Sequence, residues 1–234
     1  MDALLKVKKT QLEMVRDRGY DISAEEVILS MGPRTFIDTY MAKVGDRRTI
    51  RDLLSNLYSH KNGKDRLYVH FANSDPKAKQ SLGNEPVRYF LSLYRDKAAT
   101  TAILISELTP TSNAFFELRA AGPRKIQHFL DQELISNPTK HAMVPRHQPL
   151  TPEESAEYIN SMRLDPSRPP TTSVAQLPLL TYLEVGEKPK DDFNQDAIVK
   201  YLGLLPGQIV RIHRTNFGSQ TAVESTIVHR VVAH

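Results

Sequence analysis

Four consecutive apolar residues, Ala102-Ile103-Leu104-Ile105, are followed closely by Thr109-Pro110-Thr111-Ser112. A run this short cannot cross a bilayer, and it leaves no polar face. It suits a strand buried on both sides, in a sheet covered by helices. The flanking sequence agrees. Arg66–Ala72 reads as a neighbouring strand, with Leu67, Val69 and Phe71 on one face. Val87–Tyr94 reads as a helix, and so does the segment after Ser112 that carries Phe115, Phe116 and Leu118. Strands alternating with helices point to an α/β layer arrangement.

The N-terminal residues 3–18 have the spacing of an amphipathic helix, with Leu4, Leu5, Val7, Leu12, Met14 and Val15 on one broad face. Lys6, Lys8, Lys9 and Asp17 fall mostly outside that face. Arg16 and Arg18 suit the last turn, and Gly19 suits the left-handed stop. Ser23 with Glu26 three residues on predicts a capping box. Gly32-Pro33 ends that segment, and a further helix fits Phe36–Met41. Within residues 42–60, a helix near Arg51–Tyr58 and a short strand fit equally.

Gly122-Pro123 opens a segment through Ile126, Phe129, Leu130, Leu134 and Ile135, and a boundary falls near Asn137–His141. Thr151-Pro152-Glu153-Glu154 is a strong helix start: a cap, a proline at the first position and a glutamate at the third. Residues 165–178 are rich in Pro, Ser and Thr and read as a loop. Gln208–His213 and Ser225–Val232 alternate as strands. Val210 and Ile212 share one face there; Ile227, His229 and Val231 share another.

Chemistry is sparse. There are no cysteines among the 234 residues, which excludes disulfides, thiolate metal sites and cysteine nucleophiles. The formal net charge of +4 permits contact with a polyanion without announcing one. No phosphate-binding loop or nucleophile elbow occurs. His128, His141 and His147 lie in one stretch and His213, His229 and His234 in another, without metal-ligand spacing. His213 and His229 are placed to face one another across a hairpin. Asp75-Pro76-Lys77 has the carboxylate and lysine that a metal-dependent nuclease would use, but it is also a good turn. No metal and no cofactor are expected.

Lys6, Lys8, Lys9, Arg16 and Arg18 on the first helix, and Arg47, Arg48 and Arg51 beyond it, are candidates for phosphate neutralisation or simply a solvated face. Thr109, Pro110, Thr111 and Ser112 offer hydroxyls and first-turn N–H groups to a phosphate, and a capping turn explains them equally well.

Three blocks in order resemble a known family. The first is Leu5-Lys6-Val7-Lys8-Lys9-Thr10 with Arg16-Asp17-Arg18-Gly19-Tyr20. The second runs from Ala102 through Thr109–Ser112 to Phe129-Leu130-Asp131-Gln132-Glu133-Leu134 and His141-Ala142-Met143-Val144-Pro145-Arg146-His147. The third is Tyr201-Leu202-Gly203-Leu204-Leu205-Pro206-Gly207-Gln208-Ile209-Val210-Arg211-Ile212, with a closing strand at Ile227–Val232. In these blocks the chain resembles the fifth, shared subunit of eukaryotic RNA polymerases, whose C-terminal part corresponds to a small subunit of the archaeal polymerase. Arg214–Ala222, Asp196-Ala197 and residues 165–175 depart from the family pattern. Those departures suggest a distant branch, such as a polymerase encoded by a large DNA virus.

The resemblance implies an α+β protein. Residues 1–138 would form a nuclease-like α/β jaw domain lacking an active site, and residues 139–234 a small α/β assembly domain. It implies a non-catalytic role in transcription, docked on the largest polymerase subunit and beside downstream duplex DNA, with no membrane partner. Thr109, Pro110, Thr111 and Ser112 would face DNA without reading sequence. Val144, Pro145, His147, Tyr201, Gly203, Gly207, Val210 and Ile212 would serve the subunit interface. The location would be the nucleus, or a virion or cytoplasmic viral factory if the gene is viral. A stand-alone duplex DNA-binding protein is the alternative.

Overall fold

The computed structural model describes residues 2–42, 44, 49–73, 81–122, 124–164, 177–187, 195–215 and 225–233. It is an α+β protein of two compact units, Met1–Asn137 with Glu184–Glu187, and Pro138–Leu183 with Lys188–His234.

The first unit begins with α1 (Asp2–Asp17), which buries Leu5, Val7, Leu12, Met14 and Val15 as its spacing predicts. Gly19 ends it at φ +88, and a Cβ there would stand 2.7 Å from His60 Nε2, so only glycine fits. Two short helices follow, α2 (Val27–Ser30) and α3 (Pro33–Met41), the second opening on its proline. The capping box expected at Ser23 is absent. The Asp21 carboxylate takes both the N–H and the O–H of Ser23, so residues 23–26 turn before α2 begins. The ambiguous stretch holds both elements: α4 (Ile50–Leu54), capped reciprocally by Thr49 and Asp52, then β1 (Asn56–Ser59).

The sheet runs β1-β2-β3-β4, where β2 is Arg66–Phe71, β3 Thr101–Ser106 and β4 Ile126–Leu130. β1 is antiparallel to β2, and β2, β3 and β4 are mutually parallel. The crossovers are α5 (Asn84–Asp96) and α6 (Ser112–Ala121). They pack Val87, Phe90, Leu91, Ala114 and Leu118 with Tyr68, Ala102, Leu104 and Ile126 of the sheet. The opposite face is buried too: Leu67, Val69, Phe71, Ile103 and Ile105 are at most 1% exposed. Lys8 of α1 and Arg51 of α4 lie over the Phe71 ring. β2 is therefore buried on both faces, and not on the single face its alternation suggests. Each fully buried Leu or Ile of β3 contributes roughly 1.5–3 kcal/mol.

Lys8 corrects the sequence reading most sharply. It is fully buried, and its Nζ donates to Glu25 Oε2, the Leu54 carbonyl and the Tyr58 hydroxyl, each at 3.0 Å. Burial lowers its pKa to about 8, against the opposing pull of Glu25. It is a structural cation, unavailable to phosphate.

The second unit carries a sheet in the order β5-β7-β8-β6: β5 Arg146–Pro149, β6 Leu179–Thr181, β7 Ile209–Thr215, β8 Ser225–Ala233. β7 pairs antiparallel with β5 and β8, and β6 pairs parallel with β8. Leu180, Tyr182, Val199, Leu204, Val210, Ile212 and Val232 form its core. α7 (Pro152–Ser161) opens with the capping box expected at Thr151 and Glu154. α8 (Ala197–Leu202) is capped by Asp196, which accepts from Ile198 N at 2.8 Å, and ends at left-handed Gly203. Among the described residues no helix is long and apolar enough to cross a membrane.

His70, buried in β2, supplies a pH test. Its Nδ1 lies 3.2 Å from both Ser55 Oγ and Tyr68 Oη, and its ring stacks on Phe90. Burial pushes it down to about 4; Arg51 adds to the shift and Asp52 opposes it. The folded pKa lies below the unfolded one, so the unfolded chain binds the extra proton more readily. Stability should be full above pH 6.5 and fall by up to about 3 kcal/mol as pH drops through 4. Urea titrations across that window should show the loss in the wild type and much less of it in His70→Gln.

Candidate nucleic-acid interface and docking residues

In α/β sheets, ligands bind beyond the carboxyl ends of the parallel strands. Here that position is filled by a side chain. Arg51 Nε donates to the Ala72 carbonyl at 2.6 Å, just past β2, and Nη2 donates to the Ile105 carbonyl in β3 at 3.3 Å. Its other donors grip Asp131, just past β4, at 2.8 and 2.9 Å, and Glu107 at 3.3 Å. This buried fork is a structural tie between three strands and corrects the expectation that Arg51 joins a phosphate-binding cluster. Arg47, Arg48, Asp75, Pro76 and Lys77 lie outside the described residues. Among the described residues no group of three or more His, Cys, Asp or Glu is placed to hold a metal.

The Thr109–Ser112 turn follows β3. Leu82 brackets it: its N–H donates to the Thr109 carbonyl at 2.9 Å and its carbonyl accepts from Thr111 N at 3.0 Å. Pro110 is buried, whereas Thr109 and Ser112 are exposed. Thr111 is the N-cap of α6; its Oγ1 accepts from Ala114 N at 3.3 Å and donates to Asn84 Oδ1 at 3.2 Å. The capping reading therefore claims Thr111. That same bond to Asn84, the first residue of α5, brings the N-termini of α5 and α6 together. Two positive dipole ends share one surface there. The N–H groups of Ser112 and Asn113 have no acceptor inside α6, as helix geometry requires. Arg88 stands alongside and donates to Glu117 at 2.7 Å.

The docking residues expected from sequence divide by burial. Tyr201, Val210 and Ile212 are 1%, 0% and 2% exposed, so they build the second unit from within. Gly203 and Gly207 supply left-handed turns at φ +68 and +93, and Gly207 N donates to the Val232 carbonyl at 2.8 Å. Val144, Pro145 and His147 are half-buried around the start of β5, with His147 Nδ1 2.7 Å from the Pro145 carbonyl. His213 and His229 do not face each other. The register sets His213 opposite Ile227 and His229 opposite Arg211. Arg211 Nε donates to His229 Nε2 at 3.4 Å, and Tyr158 stacks on the His229 ring at 4.0 Å. Burial, then Arg211 and His213, hold His229 below its ordinary pKa.

Residues 1–92 match the family model described as RNA polymerase Rpb5, N-terminal domain. That segment is similar to the Rpb5 N-terminal domain. The chain's similarity extends well beyond that segment. It is 29% identical over 213 residues to the DNA-directed RNA polymerases I, II, and III subunit RPABC1 of Caenorhabditis briggsae, covering 90% of this chain and 88% of the relative. The Caenorhabditis elegans subunit of the same name is 28% identical over 213 residues, with the same coverage. That of Dictyostelium discoideum is 26% identical over 220 residues, covering 92% of this chain and 91% of the relative. The Rpb5-like N-terminal segment includes Arg51 but not its partners Glu107 and Asp131.

Removing the guanidinium takes this donor from Asp131 and the Ala72 carbonyl and leaves the Ile105 carbonyl with Ala72 N at 2.8 Å. Arg51→Leu should cost about 3–5 kcal/mol in chemical denaturation. Arg51→Lys should restore little, because an ammonium cannot reproduce the fork.

Proposed function

We infer that this chain is a non-catalytic subunit of a multisubunit DNA-directed RNA polymerase. The observation that carries this reading is similarity along 90% of the chain to polymerase subunits of nearly the same length. The first unit is the part of the jaw that lies beside downstream duplex DNA. The second unit is the assembly domain and docks on the largest subunit. Catalysis and its metal ions belong to other subunits. The chain works in the nucleus, or in a viral factory if the gene is viral; the modest identities and the departures at 165–175 and 214–222 favour a divergent branch.

DNA contact is made by Thr109 and Ser112 with the N–H groups at the start of α6. Pro110 shapes the turn and Thr111 caps the helix. The paired helix N-termini support this reading, since they favour a phosphate without reading a base. Docking uses the half-buried Val144, Pro145 and His147, on a unit held in shape by Tyr201, Gly203, Gly207, Val210 and Ile212. A free DNA-binding protein is the weaker reading, because a net charge of +4 gives little affinity to an isolated chain.

Tagged protein purified from its native source should bring down two very large polymerase subunits in stoichiometric amounts. Recovery of the chain alone at low and high salt would overturn the reading. Within the assembled polymerase, Ser112→Glu should weaken retention of downstream duplex as salt is raised and leave recovery of the large subunits unchanged. Equal retention would remove the turn from the DNA path.

A further inference from the structure

Two polar side chains occupy core positions on the helix-covered face of the first sheet. Ala102, Leu104 and Ser106 share one side of β3, and Ile126 and His128 share that side of β4. Ala102, Leu104 and Ile126 pack with α5 and α6. Ser106 and His128 continue the same rows and are 0% and 9% exposed. Burying a polar group is costly unless it is hydrogen-bonded, and an apolar pair would fill this place without that demand.

Ser106 Oγ donates to the Leu108 carbonyl at 2.8 Å and lies 2.8 Å from His128 Nε2. A hydroxyl has one proton. With that proton given to Leu108, Oγ accepts from His128, so Nε2 carries a proton. This relay ends on the main chain one residue before Thr109, where β3 gives way to the Thr109–Ser112 turn. The far side of the turn meets the same imidazole. The Phe115 ring lies edge-on to His128, with centroids 5.6 Å apart and an interplanar angle of 80°. Phe115 N in turn closes the first turn of α6 on the Thr111 carbonyl at 2.9 Å. One buried imidazole thus braces the turn at its entry, through Ser106, and at its exit, through Phe115.

We propose that His128 and Ser106 are positioning residues for DNA: they hold the Thr109–Ser112 turn and the first N–H groups of α6 where one backbone phosphate can be received. The step rests on the DNA reading of that turn given above. Hydrogen bonds weaken steeply once donor and acceptor leave line, so a small rotation of the turn loses the phosphate even when the fold is intact. The sheet itself does not need the relay. Replacing both members of a buried hydrogen-bonded pair by apolar side chains is close to neutral for stability, whereas replacing one leaves the other unsatisfied. Stability and DNA contact therefore separate in a double variant.

The test uses the full-length protein, alone for stability and within the assembled polymerase for DNA. Ser106→Ala and His128→Leu should each lower the melting temperature, and the double variant should recover most of the loss. The double variant should nevertheless retain downstream duplex about tenfold less well as salt is raised, the worth of one lost charge-assisted hydrogen bond. His128→Gln, whose amide N–H falls close to the place of Nε2–H, should keep wild-type retention. If the double variant retains duplex like the wild type while Ser112→Glu does not, the proposal is overturned and the DNA reading stands. If Ser112→Glu also retains it, the turn leaves the DNA path and the proposal falls with that reading. Should the double variant not fold, the imidazole nitrogen resonances of the wild type decide. A proton on His128 Nε2 at neutral pH supports the relay, and a bare Nε2 overturns it.

Discussion

Three parallel strands of the first unit meet a single guanidinium. Arg51 binds the main chain at the ends of β2 and β3 and the carboxylate that follows β4. An arginine buried this deeply is tolerated only when nearly every donor is used, because an uncompensated buried charge costs several kcal/mol. The fork meets that condition, and its partners lie 21 to 80 residues away in sequence. Strand order, the placement of α4 and the loop after β3 must all be right before Arg51 is satisfied. The contact therefore favours one arrangement of the sheet over its competitors. It also fills the position where a ligand would enter an α/β sheet.

A second buried cation, Lys8, also lies against Phe71. Lys8 ties α1 to the turn before α2, the end of α4 and β1 through Glu25, Leu54 and Tyr58. Its depressed pKa shows that Glu25 does not fully offset the loss of hydration. The contact thus adds little net stability at neutral pH. Its value is in specificity: an ammonium with three partners at 3.0 Å admits one seating of α1 against the sheet.

These two residues also mark the limit of what could be read from the sequence. The both-sided burial of β3 followed from four apolar residues, and the cap at Thr151 followed from local spacing, because both signals lie within a few residues. The helices at Val87–Tyr94 and after Ser112 followed from the same kind of local periodicity. Lys8 and Arg51 looked like surface charge because their partners are distant in sequence. Lys8 pairs with Glu25, 17 residues on, and Arg51 with Asp131, 80 residues on. Ser23 failed as a cap for a related reason: Asp21 stands close enough to take its hydroxyl first. The candidate turn at Thr109–Ser112 was legible as a location. Its division of labour was not, since nothing local announces that Asn84 will take the Thr111 hydroxyl.

The second unit uses its charge differently. In the first unit the buried cations are matched by acids of the same unit, so they consolidate the fold. In the second, four arginines and three histidines lie on a sheet whose strands carry no carboxylate, and two buried side-chain nitrogens, His213 Nε2 and Arg230 Nε, have no hydrogen-bond partner. Such an imbalance weakens an isolated domain through self-repulsion and unmet hydrogen bonds. It becomes favourable when another chain brings the missing acceptors. Any chain that binds the folded state alone offsets such a cost by mass action.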